Sequence, residues 1–180
     1  MMRFTRSLIT LGVLIGSLSH AVVAEPVKTQ IQWVKPENFK DISAGHSESQ
    51  KNFQKRLFAA IEKHIQNIAN EMLPEQFTLA VAIYDMDLSG EIKFDQSYSG
   101  MKKLRVVGTD TPPVINLGYL IVDKHNNDVK SGAEVLYESN FRYKKVQSNE
   151  FAFEKRLLTR WLKEEFEDLS YEGNAFIQNQ

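Results

Sequence analysis

The sequence predicts an α+β fold in which two helices pack on one face of a mostly antiparallel sheet, in the chain order β-α-β-β-β-β-α. Two segments, one from Phe53 to Met72 and one from Glu150 to Leu169, repeat apolar residues at steps of three and four, as amphipathic helices do. Shorter segments alternate or cluster apolar residues between turn residues, as strands do. A sheet is needed to cover the two apolar helical stripes.

The first 24 residues form a unit of their own. They contain two arginines and no acidic residue, then an apolar run from Leu8 to Leu18, then small residues up to Ala24. This pattern is typical of a secretory signal peptide, and we expect cleavage between Ala24 and Glu25. A membrane anchor needs about 18 uninterrupted apolar residues, and serines interrupt this run. We therefore expect an exported chain without a membrane anchor.

Composition limits the chemistry and the partners. The chain has no cysteine, which excludes disulfides, thiol catalysis, thiolate zinc sites and a lipid anchor on cysteine. The leader carries two of the 22 lysines and arginines and none of the 23 acidic residues, so 20 basic residues remain against 23 acidic ones. This near-balance argues against nucleic acid as a partner. Two short basic segments, 102–105 and 142–145, are expected to be solvated loops unless folding joins them.

Length and composition indicate a single domain, residues 25–169, followed by a polar tail, 170–180, which we expect to be flexible. The domain begins with a strand at Thr29–Val34 that Pro36 ends. Ser47 and Gln50 then have the spacing of a capping box and predict the start of the first helix, with Ser47 as its cap. Since this helix is the only long crossover, the first strand should run parallel to the central strand if the two are neighbours.

The central strand, from Gln76 to Tyr84, leads directly into carboxylates. Asp85 and Asp87 continue the phase of the inward-facing apolar residues, so an unbroken strand would drive both towards the core, where unpaired charge is costly. We therefore expect the strand to end, to bulge or to find partners there. The segment 85–91 is predicted to be a hairpin turn, with a return strand that contains Ile92.

Later strands are predicted at 104–107, 114–122 and 129–137. The last two are joined by polar residues that tolerate left-handed backbone, which predicts a β-hairpin. Tyr119 and Tyr137, which lie on these two strands, are assigned to the core.

Three segments together carry a family resemblance: Trp33–Asp41 (WVKPENFKD), Asp85–Glu91 (DMDLSGE), and Phe153–Leu158 (FEKRLL) with Trp161. From about Thr29 to Phe166 the chain resembles a family of exported proteobacterial proteins catalogued only as a domain of unknown function. The resemblance implies a Gram-negative envelope setting, most simply the periplasm. It implies no activity, substrate or catalytic residue.

The central loop also resembles the first half of an EF-hand calcium loop, through Asp85, Asp87, Ser89, Gly90 and Glu91. The twelfth position is Gln96 instead of glutamate, and the flanks predict strands instead of helices. A glycine turn whose aspartates accept backbone hydrogen bonds explains the same residues. Paired carboxylates at a strand end could also serve as the acid and base of a hydrolase. Asp85, Asp87 and Glu91 are therefore the first residues to test for metal binding or catalysis.

Three histidines follow the leader, His46, His64 and His125, and none has metal-ligand spacing. We expect each to be hydrogen-bonded or solvent-facing. Asp41, His46 and Ser47 are close in sequence, but without a nucleophile-elbow pattern they do not predict a serine triad.

Aromatic residues outside the predicted helices leave two interpretations. Trp33, Phe141 and Tyr143 could form a recognition surface, but packing beneath a loop is the simpler explanation. The sequence thus predicts no catalytic set, metal or cofactor. It favours a small exported domain that binds another envelope protein or a small ligand, and the alternative is a hydrolase or calcium-dependent protein centred on Asp85 and Asp87.

Overall fold

A computed structural model describes residues 28–45, 48–95, 102–108, 110–139, 141 and 150–177, with side chains up to Leu169. The elements are β1 (Thr29–Trp33), a 3-10 turn (Pro36–Asn38), α1 (Gln50–Met72), β2 (Thr78–Asp87), β3 (Glu91–Asp95), β4 (Lys102–Val106), β5 (Val114–Val122), β6 (Asp128–Tyr137) and α2 (Ala152–Ile177). The predicted leader with its cleavage site at Ala24 and Glu25 lies outside the described residues. His46, Ser47 and the basic segment 142–145 also lie outside them.

Four strands form a mixed sheet in the order β1-β2-β5-β6, and β3 and β4 form a separate two-stranded sheet. β1 runs parallel to β2, as predicted from the helical crossover between them. β5 is antiparallel to both β2 and β6, which confirms the predicted hairpin. The predicted α+β architecture is confirmed, although the described chain has five strands between the two helices instead of four.

The core lies between the two helices and one face of the four-stranded sheet. This inner face is formed by alternate residues of the two central strands, and all of them are buried: Leu79, Val81, Ile83, Ile115, Leu117, Tyr119 and Ile121. The stripe on α1 and the stripe on α2 join them in one apolar cluster. The sheet therefore covers both helical stripes, as their periodicity requires.

The cap of α1 differs from the prediction. Ser49, not Ser47, is the N-cap, and its Oγ accepts a hydrogen bond of 3.2 Å from the third helical N–H. Gln50 does not close a capping box. Its side chain instead accepts from the Ala44 N–H at 2.9 Å and donates to the Ile42 carbonyl at 2.7 Å. The amide of Gln50 thus holds the loop that precedes the helix.

β2 continues past Tyr84 to Asp87 by means of a β-bulge. Ile83 lies opposite Leu117, but Asp85 lies opposite Asn116, so Tyr84 is the extra residue on β2. Of the three outcomes expected for this strand, the bulge is the one that occurs.

The bulge changes which residues of β2 face the core. Because side chains alternate along a strand, one extra residue moves the next two carboxylates off the inner face. Met86 and Leu88 take the inward positions instead, with exposed fractions of 0% and 2%. Asp85 and Asp87 are thereby kept out of the apolar core.

The predicted return strand along β2 is wrong. Ile92 lies on β3, which pairs with β4 and not with β2. At this end of β2 both edges are occupied, because β5 pairs on one side and Asp41 bridges Asp87 on the other. Gly90 then turns the chain away with a φ of 82°. β3 has no free edge of β2 to join.

α2 is longer than predicted and runs to Ile177, into the segment for which the sequence predicts a flexible tail. Among the helices of the described chain, none combines the length and apolar character needed to cross a membrane.

Candidate functional site

Asp85 is engaged by the backbone around it. Its Oδ1 accepts hydrogen bonds from the backbone N–H groups of Lys40, at 3.1 Å, and Met86, at 2.9 Å. The Lys40 ammonium lies 3.9 Å from the other carboxylate oxygen. Asp85 therefore joins the segment after β1 to the bulged end of β2, as the predicted turn role requires.

Asp41 is the anchor of the two-stranded sheet. Arg105 of β4 donates to both oxygens of the Asp41 carboxylate, and one of the same nitrogens donates to the Gly90 carbonyl at 3.1 Å. The other reaches the Ser43 carbonyl at 3.3 Å. This fork neutralises the Arg105 cation of the basic segment 102–105, which lies in β4 and not in the solvated loop expected from the sequence. Asp41 thus has a structural partner in Arg105.

The turn after β2 is also tied to α2. Glu154, with an exposed fraction of 1%, accepts a hydrogen bond of 2.7 Å from the Ser89 N–H. Gly90 donates its N–H to the Thr111 carbonyl at 3.0 Å. The segment 85–90 is therefore held from three directions, which is what a structural turn needs.

Asp87 differs from its neighbours, because no hydrogen bond or ion pair to its carboxylate occurs among the described residues. Partial burial raises its pKa, and the nearby carboxylates of Asp41 and Asp85 raise it further. The cations of Lys40 and Arg105 oppose this shift. A raised pKa at a strand end is compatible with proton transfer.

The three residues selected for testing do not form one site. Glu91 lies on β3 and pairs with Lys93 at 2.8 Å, whereas Asp85 and Asp87 lie on β2. Within the described ranges, no group of three histidine, cysteine or acidic residues is placed to hold a metal ion. No observation on these residues favours the hydrolase.

Two of the three histidines are described, and both match the expectation. His64 Nε2 lies 2.9 Å from the Lys155 carbonyl and 2.9 Å from the Thr159 hydroxyl oxygen. Because the carbonyl can only accept, Nε2 carries the hydrogen. His125 lies exposed in the turn between β5 and β6, where its backbone N–H donates to Asp123. His64 is therefore held by hydrogen bonds, and His125 faces solvent.

The aromatic residues outside the helices pack as the simpler interpretation predicted. Trp33 stacks on Phe58 with ring centroids 4.0 Å apart, and its Nε1 donates to Glu62 at 2.6 Å. Phe141 is buried against Phe153 at 4.7 Å. Trp33 and Phe141 therefore do not form a recognition surface, and Tyr143 lies outside the described residues.

A second candidate for a binding surface is the side of the four-stranded sheet that faces away from the helices. Strand alternation and register place fifteen uncharged side chains on it, which we call the outer face: Gln30, Gln32, Thr78, Ala80, Ala82, Tyr84, Val114, Asn116, Gly118, Leu120, Val122, Ser131, Ala133, Val135 and Tyr137. None of them carries a charge at neutral pH, although 25% of the chain is charged. Three aspartates lie on the same side of the sheet at its two ends, because Asp85 is opposite Asn116, Asp87 opposite Val114 and Asp128 opposite Val122.

The outer face has a shallow depression in its middle. Small residues form the floor, and the depression has a volume of about 450 Å³. Tyr84 lies over Gly118, where an added Cβ would come within 3.1 Å of the tyrosine ring. Tyr84, Val135 and Tyr137 remain more than half exposed. The assignment of Tyr137 to the core is therefore wrong, because its position in β6 points away from the helices.

Sequence reasoning missed the outer face because the face exists only once the strands are paired. The signal was present in each strand as an alternate set of small or uncharged residues, for example Ala80 and Ala82 in β2. Alone, each set indicates only a half-buried strand. The register brings four such sets to one surface.

Comparison with known protein families shows to which family the chain belongs. Residues 27–164 match the family model described as Protein of unknown function (DUF3016). The chain belongs to this family. The match confirms the predicted membership of a domain of unknown function, and it assigns no activity. No curated protein and no solved structure matches the chain.

Proposed function

We propose that this DUF3016 protein is a binding domain that takes an uncharged, extended polypeptide segment on its outer face. The observation that carries the proposal is the absence of charge from the middle of that solvent-facing surface, between the aspartates at its two ends. A strand with one exposed face ordinarily alternates apolar residues, which face the core, with polar or charged residues, which face solvent. Interfaces, in contrast, are depleted of charge at their centres and enriched in tyrosine.

The size of the outer face favours a segment over a folded partner. Four strands about 4.8 Å apart and about seven residues long at about 3.3 Å per residue give a surface of roughly 400 Å². A stable complex between two folded proteins buries about 800 Å² on each. One extended segment of about six residues matches the length of the surface.

The shape of the outer face and the polar residues at its edges suit such a segment. Ala80, Ala82 and Gly118 form a low floor that allows a backbone to approach closely, and Tyr84 offers an aromatic contact. The amides of Gln30 and Gln32 on β1 and the Ser131 hydroxyl on β6 stand at opposite margins. They can donate to and accept from the main chain of an uncharged ligand.

We further propose that the domain acts in the periplasm after removal of residues 1–24. The leader-like pattern of that segment and the family resemblance support this location. Fractionation of cells that express the full chain, with mass spectrometry of the mature protein, tests it. The expected product begins at Glu25 in the periplasmic fraction, and an uncleaved cytoplasmic product would contradict it.

The binding proposal is tested by selecting ligands from a random twelve-residue peptide library on the mature domain. We expect selected peptides to be poor in charged residues and to perturb the NMR amide signals of outer-face residues. Ala82→Arg places a charge in the floor and should abolish binding. Ala59→Arg, a matched change on the exposed side of α1, should leave it intact.

Two results would overturn this function. One is a selection that yields no binder. The other is a set of peptides that binds the Ala82→Arg variant and the parent domain equally well. Circular dichroism and thermal melting of both variants establish that the fold is kept.

A further inference from the structure

We propose that two copies of this chain associate through the free edge of β6, in an antiparallel pair whose two-fold axis passes at Gly132. This pairing places Lys130 of one copy opposite Glu134 of the other. It concerns the edge of the sheet and not its face, so it stands independently of the peptide-binding function.

β6 presents a long edge. It contains ten residues and lies last in the sheet order, and among the described residues its partner strand is β5 alone. Strands in globular proteins have about five or six residues. An exposed edge of this length offers a row of unpaired backbone donors and acceptors to another strand.

One hydrogen bond shows which backbone N–H and C=O groups of β6 point away from β5. The Tyr137 carbonyl accepts from Arg160 at 3.0 Å, so it points away from β5. Backbone groups alternate in direction along a strand, and the register from Lys130 to Tyr137 has no interruption. Ser131, Ala133 and Val135 therefore also direct their N–H and C=O groups outwards.

The middle of this edge lacks the usual protection. Natural edges are blocked by proline, lysine or a bulge. Between Ser131 and Tyr137 there is no proline and no lysine, and Glu134 is the one charged residue. The bulge of this hairpin is on β6 but outside that stretch, because Val129 is the extra residue between the pairs Ile121–Lys130 and Val122–Asp128.

Charge selects the register. Outward-facing residues must lie opposite each other, which allows an axis at Gly132 or at Ala133. An axis at Ala133 puts Lys130 opposite Leu136, whereas an axis at Gly132 puts Lys130 opposite Glu134, and directly opposed unlike charges stabilise strand pairs. Glu134 has no ion pair among the described residues. Lys130, which is held 2.9 Å from Glu165, is placed to bridge the two carboxylates.

The rest of the edge fits this axis. The regular strand pairs then run from Lys130 to Glu134, because Val129 is bulged, and Arg160 at Tyr137 lies beyond them and does not block them. A two-fold axis perpendicular to the sheet leaves the helices of both copies on the same side. The two outer faces then lie side by side on one surface of eight strands.

Sedimentation velocity of the mature chain over a range of micromolar concentrations tests the pairing. We expect a concentration-dependent dimer. Ala133→Pro removes an outward N–H without touching the ladder to β5 and should give a monomer. Ala133→Val keeps that N–H and should remain dimeric. Glu134→Lys sets like charges opposite each other and should raise the dimer Kd about tenfold or more.

A mature chain that stays monomeric at about 100 μM, far above the Kd of ordinary specific pairs, would overturn the proposal. So would a dimer that is unaffected by Glu134→Lys. That variant keeps the test decisive if Ala133→Pro fails to fold. If a monomeric variant still binds peptide, peptide binding does not depend on the dimer, and failure of one proposal leaves the other standing.

Discussion

Arg105 donates from its two terminal nitrogens to the two carboxylate oxygens of Asp41, at 3.0 and 2.9 Å. The pair joins β4 to the segment that extends the β1 side of the large sheet, where Asp41 bridges Asp87. It is largely shielded from solvent, with side-chain exposures of 17% for Arg105 and 29% for Asp41. This ion pair is the main polar tie between the two sheets in the described chain.

Arg105→Lys should therefore destabilise the fold although it keeps the charge. Lysine cannot reproduce the two parallel hydrogen bonds, and charge-assisted bonds contribute about 1.5–3 kcal/mol. We expect a loss of about 2 kcal/mol in the free energy of unfolding, measured in urea. Lys103→Ala is the control, because Lys103 lies on the same strand as Arg105 and near Phe94 of β3. It should change stability by less than about 0.5 kcal/mol. Equal stability of Arg105→Lys and the parent would contradict the anchoring role.

Gly90→Ala should destabilise the protein more than a loop substitution usually does. Gly90 has a φ of 82°, and an added Cβ would lie 2.6 Å from the Val106 carbonyl oxygen. Backbone strain of this kind costs about 1–3 kcal/mol, and the clash adds to it. Gly108→Ala is the matched control, because nothing lies within 4 Å of its added Cβ. A thermal melt that shows the two variants to be equally stable would refute this account of the turn.

Calcium at millimolar concentration should leave the melting temperature unchanged. Asp85 is already occupied by two backbone N–H groups, and Glu91 pairs with Lys93. A ligand that binds only the native state stabilises it by RT ln(1 + L/Kd), where L is the free ligand concentration, and so raises the melting temperature as that concentration exceeds Kd. A rise with calcium that magnesium does not reproduce, and that Asp87→Asn removes, would restore the calcium hypothesis.

Asp87→Asn should stabilise the protein slightly at neutral pH. Burial raises the pKa of Asp87 above its ordinary value of 3.8, so ionisation is less favourable in the native state than in the unfolded state. The penalty is fully present above the folded pKa and disappears as the pH falls to the unfolded value. We expect a gain of a few tenths of a kcal/mol at pH 7 that vanishes in acid. Denaturant melts at several pH values measure it, and a loss of stability at pH 7 would contradict the expected sign.

His64→Gln should weaken the acid sensitivity of the fold. Burial lowers the pKa of His64 below 6.5, the charge of Lys155 lowers it further, and the hydrogen bond to the Lys155 carbonyl opposes the shift. Stability from the neutral imidazole is complete above pH 6.5 and decreases as the pH falls towards the folded pKa. Glutamine can still donate to that carbonyl. We expect the parent to lose up to about 1 kcal/mol more than the variant between pH 7 and 5. Parallel losses would exclude His64 as the source.

Much of the fold follows from local pattern. The stripe from Phe53 along α1 could be read from residue spacing, because a helix with one apolar face must bury that face. The parallel pairing of β1 and β2 followed from the length of the crossover. The hairpin of β5 and β6 followed from its polar turn. Each depends on residues close in sequence.

The candidate sites were less predictable. Asp85 and Asp87 attracted attention because two carboxylates follow an apolar strand, yet their surroundings depend on Lys40, Asp41 and Arg105. Pattern alone does not show which distant groups neutralise a carboxylate. The outer face escaped notice for the same reason, because each strand supplies a few unremarkable residues.

The sequence by itself determined the two amphipathic helices, the alternation of the strands and the need for β2 to deal with Asp85 and Asp87. Those features depend on neighbours within a few positions, where the periods of helix and strand act directly. The tertiary structure alone decided that a single bulge at Tyr84 turns the carboxylates outwards. It also decided that β3 pairs with β4, and that four strands bring their uncharged residues together on one face, because pairing and register are set by contacts between distant parts of the chain.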